Sequence, residues 1–376
     1  MDIQRSGLRN WNIFEIMKRI LLFTDSLGAG GAQRQLVGLA VMLQRAGYKV
    51  KVCTYHNIDF YKNYLDDNRV ENDLIPNAGN AQKRIWAVRQ YFKQEKPDWV
   101  IAYQETPSLV ACAAKVLGCN YKLLVSERNT TQVIGMNERV RFFLYRWADA
   151  IVPNSYAQES FLTNHHPWMK TKVTTITNFV DLVKFHVVEH DRSKIPEVLV
   201  VATIRPSKNT SGLIMAASIL KNKGLNFHIS WYGYSDEAQV YYDKCEALIK
   251  EYGLAEFVSL YSKTKEIHKK YQEADYFCLP SFYEGTPNVL CEAISCGLPV
   301  MVSDVCDNPM YAQPAINGVL FDPNNPEDMA DKMASLLGQN EDQYNTYRIN
   351  SRKIAEEKLS QNVFIEKYLK LLENKE

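Results

Sequence analysis

The stretch Ser281-Phe282-Tyr283-Glu284-Gly285-Thr286-Pro287-Asn288-Val289-Leu290-Cys291-Glu292-Ala293 sets two carboxylates eight residues apart around a helix start. Upstream, Tyr276-Phe277-Cys278-Leu279 reads as a buried strand, and Pro280 to Gly285 is turn material. Thr286 is the expected N-cap and Pro287 the first helical residue, where proline's missing N–H is no loss. The N–H groups of Asn288 and Val289 then face out of the helix with the positive end of its dipole, an arrangement that holds an anion, most simply a diphosphate. Glu284 falls in the loop and Glu292 more than a turn inside the helix, so both reach a ligand lying along the helix mouth. Carboxylates there accept charge-assisted hydrogen bonds from sugar hydroxyls. A phosphate site beside hydroxyl acceptors suits a sugar nucleotide.

Outward from this stretch the chain alternates. From Lys18 to Thr177 the clearest strands are Ile20–Phe23, Lys49–Thr54, Trp99–Tyr103, Lys122–Ser126 and Ala150–Pro153, with helical patterns between. The first helix carries Leu36, Leu39, Ala40 and Leu43 at the spacing that packs on a sheet. A less periodic stretch follows Asn178, and a second series begins, with strands at Val198–Ala202, Phe227–Tyr232, Phe257–Tyr261, Tyr276–Leu279 and Pro299–Val302. From Pro326 the pattern is helical, with Met329, Met333, Leu336 and Leu337 and then Phe364, Tyr368 and Leu371 as its apolar positions. The α/β class follows: two doubly wound, Rossmann-like domains facing across a cleft, with ligands beyond the carboxyl ends of the strands. The expected divisions are an extension at 1–16, a first domain at 17–179, a linker at 180–196, a second domain at 197–350 and a helical segment at 351–376.

The Glu284–Glu292 segment resembles the E-x7-E signature of retaining glycosyltransferases of the GT-B fold, family 4, in the subgroup that builds bacterial surface and lipid-linked glycans. Other stretches resemble the same family in the same order: Asp25-Ser-Leu-Gly28-Ala-Gly30-Gly31-Ala-Gln-Arg34 after the first strand, Asn178-Phe-Val-Asp181 between the domains, Ile204-Arg205-Pro-Ser-Lys208-Asn209, and the turn Asn317-Gly318-Val-Leu-Phe-Asp-Pro323. A lone E-x7-E is a weak signal; the ordered set is a strong one. The resemblance implies a cytoplasmic, metal-independent enzyme without a cofactor. It implies transfer of a UDP-linked hexose or N-acetylhexosamine from a nucleotide diphosphate sugar to a glycan acceptor, lipid-linked in this subgroup, without an enzymic nucleophile. Glu292 would hold the ribose hydroxyls and Glu284 those of the transferred sugar, with backbone N–H groups of Gly285, Thr286, Asn288 and Val289 around them.

Transfer from such a donor creates a diphosphate leaving group, so the site needs fixed positive charge. Lys208 and Arg205 follow the second domain's first strand and supply it, and no Asp-x-Asp stands at a strand end to hold a metal. Relatives often carry an arginine where this chain has Thr203, so the diphosphate rests on Lys208 and the helix mouth or also on a shifted Arg205. Gly30 and Gly31 permit close backbone approach to phosphate or acceptor, or form a tight structural turn. Where many relatives have a histidine after the fifth strand this chain has Glu127-Arg128-Asn129; Glu127 or Arg128 then assists the acceptor or the developing charge. Two other readings stand beside the transferase: a nucleotide-sugar 2-epimerase of the same fold, and a catalytically silent sugar-nucleotide-binding subunit.

Charge adds a partner. Residues 1–180 hold 23 Lys and Arg against 15 Asp and Glu, and the remainder 21 against 28, so the halves carry +8 and −7. The acidic half argues against nucleic acid, and the basic half suits an anionic membrane surface. In the helix around Glu138–Trp147, Val140, Phe143, Leu144 and Trp147 form the expected core face, leaving Arg139, Arg141, Phe142, Tyr145 and Arg146 outside, either against lipid or simply solvated. No apolar run has the length to span a bilayer. Leu8, Trp11, Ile13 and Phe14 in the extension are a second membrane candidate. The eight cysteines show no C-x-x-C pair and read as reduced core residues.

Overall fold

The computed structural model describes residues 18–128, 131, 133–189 and 191–373. The extension at 1–16, Asn129 and His190 lie outside the described residues. The first series runs β1 (Arg19–Phe23), α1 (Gly31–Arg45), β2 (Lys49–Thr54), α2 (Lys62–Asp67), β3 (Glu71–Leu74), α3 (Ala81–Glu95), β4 (Trp99–Tyr103), α4 (Glu105–Val116), β5 (Lys122–Glu127), α5 (Met136–Leu144), β6 (Ala150–Pro153) and α6 (Tyr156–His165). The second runs β7 (Glu197–Val201), α7 (Thr210–Asn222), β8 (His228–Tyr234), α8 (Gln239–Glu251), β9 (Val258–Ser262), α9 (Ile267–Glu273), β10 (Tyr276–Leu279), α10 (Asn288–Ser295), β11 (Val300–Ser303) and β12 (Gly318–Phe321). Three helices close the chain: α11 (Pro326–Leu337), α12 (Glu341–Leu359) and α13 (Gln361–Glu373).

The strands form two six-stranded parallel sheets, ordered β3-β2-β1-β4-β5-β6 and β12-β11-β10-β7-β8-β9. By packing density the chain divides into two compact units, one running to Val125 and including Arg141–Asp149, the other made of Ser126–Val140 and everything from Ala150. In the first unit, Leu36, Leu39, Ala40 and Leu43 of α1 are all buried, as their spacing requires. In the second unit the sheet is covered on both faces. Alternate residues of β7 divide between two cores: Val198 and Val200 pack with Trp231, Leu213 and Met333, and Leu199 packs with Phe277, Leu290 and Ile294.

Both strands that periodicity missed are edges. β3, Glu71-Asn72-Asp73-Leu74, buries no side chain fully, and its acidic residues serve Lys51, whose Nζ lies 3.0 Å from Asp73. β12 replaces the turn expected at 317–323, pairing with β11 from Val300↔Gly318 to Ser303↔Phe321. Its first residue reads as turn material because it is glycine, yet a Cβ there would lie 2.2 Å from the Val300 carbonyl oxygen, so close strand approach requires it.

Helix α5 and the turn after it depart in part from the sequence expectation: Arg139 and Arg146 are exposed as expected and Leu144 is half-buried, but the other positions exchange faces. Arg141, Phe142 and Tyr145 are buried, whereas Val140, Phe143 and Trp147 are exposed. Arg141 tolerates burial because its Nη1 meets the Glu105 carboxylate of α4 at 3.2 Å and its guanidinium packs over the Phe142 ring. Seven cysteines are buried, and burial pushes the Cys296 thiol up to about 12, the behaviour of an inert core thiol. Cys306 is the exception, being exposed.

Candidate active site

The site is best followed from β10 into α10. After Leu279 the chain turns through 280–287, and the helix begins one residue later than expected, with Pro287 as the N-cap and Asn288 as the first helical residue. Thr286 does not cap because its hydroxyl donates to the carbonyl of Asn154. The Pro287 carbonyl accepts the N–H groups of Leu290 and Cys291, both at 3.1 Å. Asn288 and Val289 therefore keep backbone N–H groups with no protein acceptor among the described residues, and no acidic side chain in the first turn competes for the positive end of the dipole. Gly297, at φ +78, ends the helix in the left-handed conformation that a side chain would oppose.

Glu284 does not stand alone in its loop. Its Oε1 accepts from Lys208 Nζ at 2.5 Å and from Ser281 Oγ at 2.7 Å. The backbone fixes the meeting: Phe282 N–H donates to the Ser207 carbonyl at 3.1 Å, tying the loop after β10 to the turn after β7. Lys208 is in that turn, and the left-handed Asn209, at φ 57, carries the chain into α7. Its buried amide donates to the Pro323 carbonyl at 2.7 Å. Arg205, at the start of the same turn, is exposed; its carbonyl accepts the Lys208 N–H at 3.0 Å, and its guanidinium has no protein partner among the described residues. Glu292 lies on the second turn of α10 and is only 4 % exposed. A cation, a paired carboxylate and an open helix mouth thus share the carboxyl ends of β7 and β10.

Three residues that precede the second sheet in the chain, Glu127, Arg128 and Asn178, lie inside the protein. Glu127 ends β5 and is wholly buried. Arg128, also buried, donates from Nη1 to Asn178 Oδ1 at 3.1 Å and from Nη2 to the Tyr368 hydroxyl of α13 at 2.7 Å. Asn178 Nδ2 donates to Asn288 Oδ1 at 2.9 Å and to the Thr286 carbonyl at 3.3 Å. Sequence alone missed this because nothing in the spacing of 128, 178, 288 and 368 brings them together. Asp307 was also unremarked; its two carboxylate oxygens accept the Tyr156 and Ala157 N–H groups at 2.8 and 2.9 Å, opening α6, while burial pushes its carboxyl up.

In the first unit the glycine loop follows β1. Gly30 is the N-cap of α1, with extended backbone, and Gly31 is its first residue; no side chain caps the helix. Asp25 braces the loop, accepting Ser26 N–H at 2.6 Å and Gln33 Nε2 at 3.1 Å. Gln104, just after β4, holds a backbone φ of 75 that non-glycine residues seldom adopt, and its Oε1 accepts the Thr24 hydroxyl at 3.1 Å.

Two family profiles match in tandem: "Glycosyltransferase Family 4" over residues 29–184 and "Glycosyl transferases group 1" over 184–354. The chain belongs to the family 4, group 1 glycosyltransferases. The enzyme is 27 % identical, over 77 % of its own length and 81 % of the relative's, to a Campylobacter jejuni N-acetylgalactosamine-N,N'-diacetylbacillosaminyl-diphospho-undecaprenol 4-alpha-N-acetylgalactosaminyltransferase. It is 24 % identical, over 91 % and 96 %, to an uncharacterized glycosyltransferase of Haemophilus influenzae. Among solved structures, a Rickettsia africae glycosyltransferase superposes with a TM-score of 0.83 at 17 % identity, covering 95 % of this chain and 98 % of that one. Anabaena HepE, solved with UDP and glucose, gives 0.82 at 18 % identity, covering 95 % and 100 %. The fold is GT-B.

Proposed function

We propose that this glycosyltransferase moves a hexose or N-acetylhexosamine from a UDP-sugar to a lipid-linked glycan, with retention of configuration and without a metal. The observation that carries the reading is the Lys208–Glu284 pair at 2.5 Å beside the uncapped mouth of α10. Phosphate needs the cation and the open N–H groups; the hexose needs a fixed hydroxyl acceptor next to them. Glu292, buried on the second turn, takes the ribose hydroxyls, and Arg205 is free to meet the diphosphate. The relatives support the acceptor and the stereochemistry: the Campylobacter enzyme is named for a diphospho-undecaprenol substrate and an alpha linkage. An α-linked product from an α-linked nucleotide sugar is retention.

In the step itself the bond from the anomeric carbon to the diphosphate oxygen breaks, its electron pair leaving with the diphosphate. The acceptor hydroxyl oxygen bonds to that carbon from the same face, and its proton passes to the departing phosphate oxygen. Lys208 and the N–H groups of Asn288 and Val289 stabilise the charge that develops on the leaving group. Gly30 and Gly31 leave room for the acceptor or its phosphates over the N-terminus of α1. Arg128, bonded to Asn178 and Tyr368, positions the site, and Glu127 beside it at the end of β5 assists the acceptor or the developing charge.

A lipid-linked acceptor brings the enzyme to the inner face of the cytoplasmic membrane. No helix among the described residues is long and apolar enough to cross it. Attachment through the outward face of α5 fits: Met136, Val140, Phe143 and Trp147 recur at helical spacing, all exposed, and the Arg146 guanidinium lies over the Phe143 ring at 5.6 Å.

The test is donor hydrolysis with a panel of nucleotide sugars, with and without EDTA. A UDP-sugar should be hydrolysed slowly, and equally in EDTA. Loss in EDTA that magnesium or manganese restores overturns metal independence; hydrolysis of no nucleotide sugar overturns the donor assignment.

A further inference from the structure

We infer that Arg128 sets the hydrogen-bonding polarity of an Asn178–Asn288 amide relay, so that the mouth of α10 presents an amide donor, and not an amide oxygen, to the donor's diphosphate. This rests on the proposed function. One group in the relay cannot be reversed. A guanidinium only donates, whereas a carboxamide donates from one end and accepts at the other. With Arg128 Nη1 donating to Asn178 Oδ1 at 3.1 Å, the NH₂ end of Asn178 must face away from Arg128. It donates to Asn288 Oδ1 at 2.9 Å and to the Thr286 carbonyl at 3.3 Å. Asn288 therefore has its oxygen engaged and its own NH₂ without a protein acceptor among the described residues, on the same residue whose backbone N–H is also open.

Burial gives the relay its force. Asn178 and Arg128 are 5 % and 8 % exposed, so water cannot readily supply an alternative partner, and reversing either amide would set two acceptors or two donors against each other. The Tyr368 hydroxyl accepts from the other nitrogen of Arg128 at 2.7 Å and anchors the guanidinium. Arg128 and Asn178 are thus positioning residues: they determine which atom Asn288 offers to the anion.

Asn178→Asp inverts the relay while keeping its size. A carboxylate accepts from Arg128 and also from Asn288, which must turn its NH₂ inward and its oxygen toward the diphosphate. Calorimetry with UDP should show affinity at least tenfold lower than wild type, with the melting temperature recorded in parallel. Tyr368→Phe should lower the melting temperature but bind UDP as wild type does, because the amide polarity survives. In an Asn288→Ala background, Asn178→Asp should produce no further loss, since the group it reorients is gone. Asn288→Ala alone should weaken UDP, which keeps the test available where Asn178→Asp fails to fold. Wild-type UDP affinity in Asn178→Asp or in Asn288→Ala, or equal losses in Asn178→Asp and Tyr368→Phe, overturns the relay and leaves the donor assignment standing. A wild-type enzyme that binds neither UDP nor another nucleoside diphosphate overturns both.

Discussion

Helices α10 and α5 both carry charged residues among apolar ones, and the fold uses them in opposite ways. In α10 the apolar residues Leu290, Cys291, Ala293 and Ile294 go inward, and Glu292 is drawn in with them. In α5 the residues that go inward include an arginine, while the more apolar stripe faces out. Partnering accounts for much of the difference. Arg141 finds the Glu105 carboxylate, so its burial is compensated, and Phe142 and Tyr145 complete that face at a ring separation of 6.0 Å. The lesson concerns the hydrophobic stripe as a signal: it identifies an apolar face but not what covers it, and an exposed one marks a surface for something else.

The sharpest way to break this comparison is at adjacent residues on opposite faces of α5. Phe142→Ala should destabilise the protein by about 3 to 5 kcal/mol, the usual range for emptying a packed aromatic site, read from urea unfolding. The neighbouring Phe143→Ala should leave the transition nearly unmoved. A large loss in Phe143→Ala with none in Phe142→Ala would restore the face assignment that periodicity favoured, and equal losses would remove the contrast between the two faces.

That inversion also marks how far the sequence could be read. Trp99–Tyr103 was legible as a continuous apolar run, the mark of a buried parallel strand, and Lys49–Thr54 as an alternation of Lys49 and Lys51 with buried Val50 and Val52. The edges β3 and β12 were not, since a strand with one partner needs little apolar content and resembles a loop. At the site, Lys208, Glu284 and Glu292 were legible as chemical types at informative spacing, but the direct Lys208–Glu284 contact depends on the Phe282–Ser207 backbone bond, which no pattern encodes. The helix start was misread by one residue because Thr286 has a competing acceptor, the Asn154 carbonyl, far away in sequence.

The next test sharpens the α10 side. Glu292→Ala should weaken binding of free UDP roughly tenfold to a hundredfold, as loss of a charge-assisted contact worth about 1.5 to 3 kcal/mol requires. Glu284→Ala should bind UDP within a few-fold of wild type yet transfer sugar poorly, because it removes the hydroxyl acceptor and leaves Lys208 without its carboxylate. Calorimetry and transfer assays on the two variants separate these roles. Unchanged UDP affinity in Glu292→Ala would remove the ribose assignment, and unimpaired transfer in Glu284→Ala would remove the sugar assignment.

The smallest effect on folding is expected on the outward face of α5, where the reading of the stripe is most exposed to failure. Exposed side chains away from caps and ion pairs usually change stability by no more than about 0.5 kcal/mol when replaced, so Phe143→Ser with Trp147→Ser should unfold close to wild type. Binding to lipid should respond far more. Immersing a large aromatic side chain is worth about 1.5 to 3 kcal/mol, and each arginine near an anionic surface contributes about 1 kcal/mol that salt screens. The Arg146 guanidinium already lies over the Phe143 ring, which places a charge at the margin of the apolar stripe, where headgroups would meet it. Sedimentation with phosphatidylglycerol vesicles should therefore fall sharply in the double serine variant and partly in Arg139→Gln with Arg146→Gln, with donor hydrolysis intact in both. The arginine variant alone should lose its remaining salt dependence. If the serine variant sediments like wild type, or if wild type forms dimers through this face and ignores vesicles, the stripe belongs to another copy of the chain and the lipid acceptor is met elsewhere.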